Sequence, residues 1–324
     1  MAPGNRKAPR NAYWSDSQYM LVEFMADFPD DESCLVWLWE QRYNLGEDKA
    51  HCERCGEIRQ FKRYTAKQQR QDWTCTACGL HVHPTAGTIF HKSSTSLQLW
   101  FYAMYLMTST RCGISAKQLE RELGVTYKTA WRMFHLMRNQ LMTQDDETLS
   151  GEVEIDETYV GGKPRQSDRA TWADLPRMQR HSAAKKFGDQ KKTTVFGMVE
   201  RGGKITAKVV PSNQAKTLEP HITAAIEPSS TVYTDQATWY KWLPEAGYNH
   251  QTVDHSAKVY VSGNVHTQTI DGFWSLVKRG ISGTHHSISP KHLQGYLNEY
   301  VWRYNHREDG REMFFTLALR AAMV

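Results

Sequence analysis

The sequence predicts a multidomain α/β protein, in which helices and small modules precede a larger domain built on a mixed sheet. Two observations carry this prediction. Up to about residue 142, helical apolar patterns flank a Cys-rich segment, and from Gly151 the pattern changes to strands followed by alternating helices and strands. With 324 residues and 40% apolar side chains, the chain is long enough for more than one hydrophobic core.

The N-terminal part predicts an arm and a pair of helices. Residues 1–14 are basic and Pro-rich with no apolar run behind them, which is typical of a disordered arm rather than a targeting signal. Residues 15–50 predict two helices, the second capped by Asp30 or Asp31. The most apolar stretch, 97–107, is too short to span a bilayer, so we expect a cytoplasmic protein without membrane contact. The net charge of +5 suits a nucleic-acid partner without establishing one.

A Cys-rich module at residues 51–90 predicts a structural metal site. Cys52-x-x-Cys55 and Cys75-x-x-Cys78 are separated by nineteen residues, a spacing typical of a tetrahedral zinc site with four thiolates. Two disulfides are the alternative, which a cytosolic compartment disfavours. Four thiolates leave no open coordination position, so the predicted zinc is structural and not catalytic.

Residues 94–142 predict a helical region that contains a helix-turn-helix. Leu119 and Leu123 give an apolar helix face, Gly124 breaks the helix, and Thr126 can cap the next one. The second helix is expected to bury Ala130, Trp131, Phe134 and Met137. Its expected DNA-contacting residues, near the N-terminal half, are Lys128, Thr129 and Arg132. An ordinary helical hairpin is the competing interpretation of this pattern.

The last large domain is predicted to span 151–310, followed by a C-terminal tail at 311–324. Its predicted strands are 151–160, 194–200, 204–210, 230–235 and about 250–254, with helices at about 214–226, from 269, and at 290–304. A basic insertion at 164–192 lies between the first two strands. We predict a loop there that holds DNA phosphates through residues such as Lys185 and Lys186, and a solvated loop is the alternative.

Three acidic residues of this domain are the strongest candidates for chemistry. Asp156 lies on the first strand, Asp235 ends a later strand, and Asp271 opens an amphipathic helix. Alternation along the first strand places Glu152, Glu154 and Asp156 on one face, where like charges need a compensating partner such as a hard cation. Acids so arranged can converge on two divalent metals, the arrangement used for phosphodiester chemistry. A strand with a solvated acidic face is the alternative.

In combination, these motifs resemble a known family. The order is the CxxC…CxxC ribbon, LGVTYKTAWRM, EIDETYVGGK, YTD, HTQTIDGFWSLVKRGI and HLQGYLNEYVWRYNHR, which together cover about residues 20–320. This order is similar to that of the bacterial insertion-sequence transposases of the DDE type. Members of that family have an N-terminal zinc ribbon, a helix-turn-helix and a ribonuclease-H-like catalytic domain.

The resemblance implies a ribonuclease-H-like fold for 151–310, one structural Zn²⁺, and two Mg²⁺ or Mn²⁺ ions per active site. It also implies an enzyme that binds the terminal inverted repeats of its element, cleaves there and joins the ends to target DNA. Asp156 is expected to bridge the two ions, with Asp235 and Asp271 each completing one coordination sphere. The family's third acid is usually Glu, so Asp271 is a departure, and Asp is one methylene shorter.

Further residues are expected around this site. Lys278 lies two helical turns after Asp271 and could hold a phosphate, together with Arg279. Possible outer residues of the site are Glu154, Glu157, His266, Gln268 and Asn305. The expected partner is double-stranded DNA, bound by a homodimer or a larger assembly, which would associate the protein with the nucleoid. Two alternatives remain at this point: an inactive, host-adopted DNA-binding descendant, and a ribonuclease-H-like repair nuclease.

Overall fold

The computed structural model describes residues 19–64, 72–110, 112–145, 148–161, 173–190, 192–253 and 266–324. The chain divides into two compact units. Unit 1 comprises Met1–Leu141 with His306–Val324, and unit 2 comprises Met142–Asn305. The predicted α/β class is confirmed, with N-terminal helices and two separate sheets. The arm predicted at 1–14 lies outside the described residues.

Unit 1 combines helices with a small antiparallel sheet. Its strands are β1 (Lys49–Cys52), β2 (Glu57–Tyr64), β3 (Asp72–Cys75) and β4 (His81–Val82), in the order β1-β2-β3-β4. Its helices are α1 (Leu21–Asp27), α2 (Asp31–Arg42), α3 (Leu97–Ser109), α4 (Ala116–Leu123), α5 (Tyr127–Leu136) and α10 (Glu312–Met323). The cap predicted for α2 is confirmed, since Asp30 accepts from the backbone N–H of Ser33 at 2.8 Å.

The last helix, α10, differs from the tail predicted for 311–324. Its inner face, including Phe314 and Leu317, is buried. Phe314 lies within 5.7–5.8 Å of the rings of Phe24 and Phe28, which belong to the other end of the chain. Helix α10 therefore completes an aromatic core that begins with α1, and the C-terminal segment is part of unit 1 rather than an appendage.

Unit 2 is built on a mixed five-stranded sheet. The strands are β5 (Glu152–Gly161), β6 (Lys192–Glu200), β7 (Ile205–Val210), β8 (Thr231–Asp235) and β9 (Asn249–Val253). Their order is β7-β6-β5-β8-β9. Strand β6 pairs antiparallel with both β5 and β7, whereas β8 pairs parallel with both β5 and β9. The described helices are α6 (Arg177–Gln190), α7 (Ala215–Ala225), α8 (Gln268–Gly280) and α9 (Leu293–Asn305).

Helices cover both faces of this sheet, because alternate residues of its strands are apolar on each side. On one face, Val153 and Ile155 pack with Leu218 and Ile222 of α7. On the other face, α8 and α9 bury a second cluster that contains Val160, Val195, Val199, Ile270, Trp274, Val277 and Leu297. The acidic residues of β5 at even positions therefore face α8.

The basic segment at 164–192 is not wholly the predicted loop. Helix α6 occupies Arg177–Gln190, and residues 162–172 lie outside the described part of the chain. Lys186 is exposed on this helix, whereas the side chain of Lys185 is not among those described. The helix has scarcely any one-sided apolar pattern, which is why periodicity does not reveal it.

Candidate metal centres and active site

Four cysteines of unit 1 form a compact cluster. Each CxxC pair lies at a strand end followed by a tight turn, and β2 and β3 place the two turns side by side. The four sulfur atoms all lie within 4.8 Å of one another, with Cys52 to Cys78 at 3.5 Å and Cys55 to Cys75 at 4.0 Å. Tetrahedral zinc with Zn–S bonds of about 2.3 Å implies sulfur separations of about 3.8 Å. The cluster can hold zinc, and these separations are too long for disulfides.

The electrostatics of the cluster favour a bound cation. The adjacent thiol of Cys78 raises the pKa of Cys55 to about 12, since one thiolate disfavours a second. Burial acts to raise the pKa of Cys75, but hydrogen bonds from the backbone N–H groups of Cys78 and Ala77 outweigh it and lower that pKa to about 7. Four sulfurs this close cannot all be deprotonated unless positive charge lies between them.

Helices α4 and α5 are joined by the predicted break. Gly124 adopts a positive φ of 63°, which favours glycine, and Thr126 accepts from the backbone N–H of Thr129 at 3.3 Å to cap α5. Lys128 and Arg132 are exposed, and Thr129 is half-buried. One part of the prediction is wrong: Trp131 is only half-buried and stacks on His135, while Met133 takes the core position.

The acidic face of β5 divides into two parts. Glu152 accepts from the Tyr233 hydroxyl at 2.7 Å, and the fully buried Glu154 accepts from Arg201 Nε at 2.7 Å. Arg201 also lies 3.5 Å from Glu152, so one guanidinium compensates both glutamates. The alternation of β5 predicts a cation as the partner of all three acids, and it gives no indication of Arg201.

Asp156, the next acid on this face, is compensated differently. Burial first, and then the charges of Glu157, Asp271 and Asp235, raise the pKa of Asp156 to about 7. Among the described residues, neither Asp156 nor Asp235 forms an ion pair with a basic side chain. The charges of Asp235 and Asp271 thus act on the Asp156 carboxyl, for which the described residues supply no compensating positive charge.

Local contacts hold two of these aspartates, Asp235 and Asp271. Asp235 accepts from the backbone N–H of Ala237 at 3.1 Å, which turns the chain at the end of β8. Asp271 lies in the first turn of α8, and the Thr267 hydroxyl is 3.5 Å from its Oδ2. Within the part of the chain that is described, only the cysteines form a set with all ligand atoms inside 4.8 Å. Asp156, Asp235 and Asp271 do not form such a set.

Close packing brings α8 onto the sheet beside Asp156. Gly197 of β6 is the register partner of Asp156, so it lies on the same face. A Cβ atom at Gly197 would lie 2.6 Å from Cζ2 of Trp274 and 3.3 Å from Cδ1 of Ile270. The missing side chain therefore lets α8 approach the strand, and with it Asp271 approaches Asp156.

The residues predicted around the acids have different environments. Glu157 points to the opposite face of β5, where Trp239 Nε1 donates to it at 2.9 Å and the Tyr240 hydroxyl also donates. Burial, followed by the charge of Asp235, raises the pKa of Glu157 to about 7 although both hydrogen bonds lower it. Asn305 is bonded through both side-chain atoms to the backbone of Ile205, so it fixes β7 instead of lining the site.

The other predicted residues lie along α8 and before it. His266 Nδ1 is 3.2 Å from Oε1 of Glu154, and Gln268 is exposed at the start of the helix. Lys278 and Arg279 are exposed in the last turn of α8. Of the described helices, none is both long and apolar enough to cross a bilayer.

Similarity to known proteins agrees with this architecture. Residues 148–305, which nearly coincide with unit 2, match the ISXO2-like transposase domain. An uncharacterized protein in transposable element ISH50 of Halobacterium salinarum is 31% identical over 261 residues, covering 79% of this chain and 86% of the relative. The chain belongs to the insertion-sequence transposases.

A second relative of this transposase is an uncharacterized transposase-like protein of Haemophilus influenzae. It is 32% identical over 105 residues, which is 32% of this chain and 84% of the relative. Membership of the family makes the chain a nucleic-acid-processing enzyme of the transposase class, as the motif order predicted.

Proposed function

We propose that this transposase binds the ends of its element and carries out metal-dependent cleavage and strand transfer at Asp156, Asp235 and Asp271. The observation that carries the proposal is the mutual repulsion of these carboxylates: the charges of Asp271 and Asp235 raise the pKa of Asp156, and no described basic side chain pairs with Asp156. Hard divalent cations prefer oxygen ligands of this kind. The mixed sheet with helices on both faces supports a ribonuclease-H-like fold for 151–310.

Each acid has a distinct part in this proposal. Asp156 is central, half-buried on β5, and is the residue expected to bridge two Mg²⁺ or Mn²⁺ ions. Asp235 at the end of β8 and Asp271 on α8 would each hold one of these ions. Two ions bound there would supply Lewis acidity for both the attacking and the leaving oxygen of an in-line displacement. The side chains themselves hold negative charge at fixed positions and need no covalent bond to DNA.

DNA binding is proposed for separate parts of the chain. The exposed Lys128 and Arg132 lie in the first two turns of α5, near the end at which a recognition helix contacts bases. A helix-turn-helix within 94–142 and a zinc ribbon at 51–90 would then direct end binding. Phosphate contacts are proposed for Lys186, Lys278 and Arg279, all of them exposed. A homodimer or larger assembly on double-stranded DNA remains part of the proposal.

One experiment separates binding from chemistry. Asp156→Asn keeps the size of the side chain but removes the charge, so cleavage and strand transfer should fall to background while end binding persists. Arg132→Ala should instead impair binding and leave the metal-binding acids unchanged. At subsaturating protein concentration it should weaken cognate binding by about 1–3 kcal/mol if Arg132 contacts a base. The assay uses duplexes carrying the repeats that bracket the gene, with Mg²⁺ or Mn²⁺.

Two results would contradict the proposal. Cleavage by Asp156→Asn at the wild-type rate would remove Asp156 from the chemistry. Cleavage that persists in chelator would remove the metal requirement. Cutting of branched DNA without preference for the repeats would instead favour a repair nuclease.

A further inference from the structure

Glu154 occupies an unusual position for a buried carboxylate. It lies two residues before Asp156 on the same face of β5 and is fully buried. Its Oε2 accepts from the backbone N–H groups of Thr269 at 2.8 Å and Ile270 at 3.1 Å, and its Oε1 accepts from the Thr269 hydroxyl at 3.0 Å. These groups belong to the first turn of α8, so a residue of the sheet caps the helix.

This cap replaces one that the helix does not supply itself. Thr267, the N-cap residue, forms no side-chain cap bond among the described residues. The first N–H groups of a helix have no partners within the helix, and a negative charge at that end is stabilising. Glu154 supplies both the acceptors and the charge, so the start of α8 is tied to one point on β5.

Arg201 extends the same connection to the chain before the helix. Its Nε donates to Glu154 at 2.7 Å, its Nη2 donates to the carbonyl of His266 at 2.8 Å, and its guanidinium lies over the ring of Tyr233 at 4.0 Å. Both carboxylate oxygens of Glu154 are therefore occupied by protein donors. Glu154 is not placed to bind an ion as a ligand.

We propose that Glu154 is a positioning residue, which holds the first turn of α8 so that Asp271 faces Asp156 and Asp235. The inference rests on the proposed function of these three acids as metal ligands. Asp271 directly follows Ile270, so a shift of the turn also displaces the backbone that carries its carboxylate. Mg²⁺ demands near-ideal octahedral geometry, which makes the site sensitive to such a shift.

The test variant is Glu154→Gln, with Glu299→Gln as its matched control. Glutamine keeps the size of the side chain but loses the charge. Its amide N–H groups are donors, so they cannot accept the hydrogen bonds that Arg201 or Thr269 donates to the carboxylate. Glu299 is likewise buried and pairs with an arginine, Arg303, at 2.8 Å, but both residues of this ion pair lie on α9. Both variants should lower the melting temperature.

Two measurements without DNA distinguish positioning from general stability. Mn²⁺ binding is measured by electron paramagnetic resonance, and the binding that is lost in Asp156→Asn is assigned to this site. Its affinity should fall about 10–100-fold in Glu154→Gln, which is the usual effect of losing an outer partner of a metal site. Hydrogen exchange of the peptide containing residues 268–271 should become faster. Glu299→Gln should change neither quantity, and high Mn²⁺ should restore cleavage in Glu154→Gln.

Several outcomes would overturn the inference. Unchanged Mn²⁺ affinity in a folded Glu154→Gln would leave Glu154 a purely structural role. Loss of affinity with unchanged exchange at 268–271 would make it a ligand instead. If Glu154→Gln fails to fold, Glu154→Asp retains the charge on a shorter side chain and should give the same changes in smaller measure. Wild-type protein that binds Mn²⁺ through Asp156 yet cleaves no end DNA would contradict the proposed function while leaving the positioning role intact.

Discussion

Two acids on the same face of β5 show how local surroundings decide the role of a carboxylate. Glu154 is fully buried, yet it is compensated by Arg201 and by the N–H groups of α8. Asp156 lies two residues further along and is surrounded by other acids, whose charges add to the effect of burial on its pKa. One carboxylate stabilises the fold, whereas the other destabilises it until a cation binds.

The raised pKa of Asp156 predicts a specific pH dependence. A carboxyl whose pKa is higher in the fold than its usual value favours the folded state at low pH, and this contribution is lost as pH rises through about 7. Mg²⁺ binds only the ionised group. We therefore expect Mg²⁺ to raise the melting temperature more at about pH 8 than at about pH 5.5, where protons compete with the cation.

Asp156→Asn is the control for this effect, since the amide cannot ionise. Without Mg²⁺, its stability should fall less between the two pH values than that of the wild type, although Glu157, whose pKa is also raised to about 7, retains part of the dependence. In this variant, Mg²⁺ should raise the melting temperature only slightly at both pH values. Scanning calorimetry of the wild type and the variant, each with and without Mg²⁺ at both pH values, measures these melting temperatures. If Mg²⁺ raises the melting temperature of the wild type equally at both pH values, this role for Asp156 is contradicted.

Sequence patterns locate the acids but not their partners. Strand alternation and an amphipathic helix suffice to place Asp156 and Asp271 on facing surfaces. The role of Arg201 follows from the pairing of β5 with β6, where Val153 is opposite Glu200, although the basic segment 164–192 separates these two strands in sequence. Glu157 is a candidate because it adjoins Asp156, and Asn305 because of its RYNHR motif. In the structure Glu157 points to the opposite face of β5, and Asn305 binds the backbone of β7.

At the scale of elements, the position of α8 depends on a close contact as well as on its cap. Gly197 permits Trp274 to lie against β6, and Gly280 permits the Tyr300 hydroxyl of α9 to approach, since a Cβ atom there would lie 1.8 Å from that oxygen. Neither glycine can be singled out from the sequence alone, because the sequence does not say which residues will face each other across the helix and the sheet.

Gly197→Ala should therefore displace α8. The new methyl group would overlap the indole of Trp274, a rigid ring that cannot move without its helix. Overpacking of this kind costs about 1–3 kcal/mol, and we expect a matching loss of stability together with reduced cleavage. Urea denaturation and the cleavage assay measure the two effects.

The contact can be tested by compensation. Trp274→Phe removes the ring atoms nearest to Gly197, so the double variant should be more stable than the sum of the two single changes predicts. Gly272→Ala on the same helix has open space around it and should stabilise by about 0.5–1 kcal/mol through helix propensity. Strict additivity of Gly197→Ala and Trp274→Phe would show that the close approach of helix and strand is not the cause.

At the scale of the whole molecule, the chain returns to its first unit after completing the second. His306–Val324 belongs with Met1–Leu141, and Met142–Asn305 lies between them in sequence. No local pattern reveals that α10 joins α1, because their contacts connect residues almost 300 positions apart, such as Arg311 and Asp27 at 2.9 Å. The amphipathic pattern of 312–323 is nevertheless present in the sequence and indicates a helix rather than a tail.

Phe314→Ala should destabilise unit 1 selectively. The ring is 1% exposed and contacts the aromatic rings of Tyr19, Phe24, Phe28 and Phe101, so its removal leaves a cavity and should cost about 3–5 kcal/mol. Leu319→Ala on the same helix is the control, since Leu319 is 37% exposed and its loss should cost far less.

Limited proteolysis coupled to mass spectrometry follows each unit separately. In Phe314→Ala, cleavage within 19–141 should accelerate while the core strands of 142–305 stay protected, because the two units have separate cores. Equal acceleration in both units would mean that they unfold as one, and α10 would then stabilise the whole protein rather than the unit it completes.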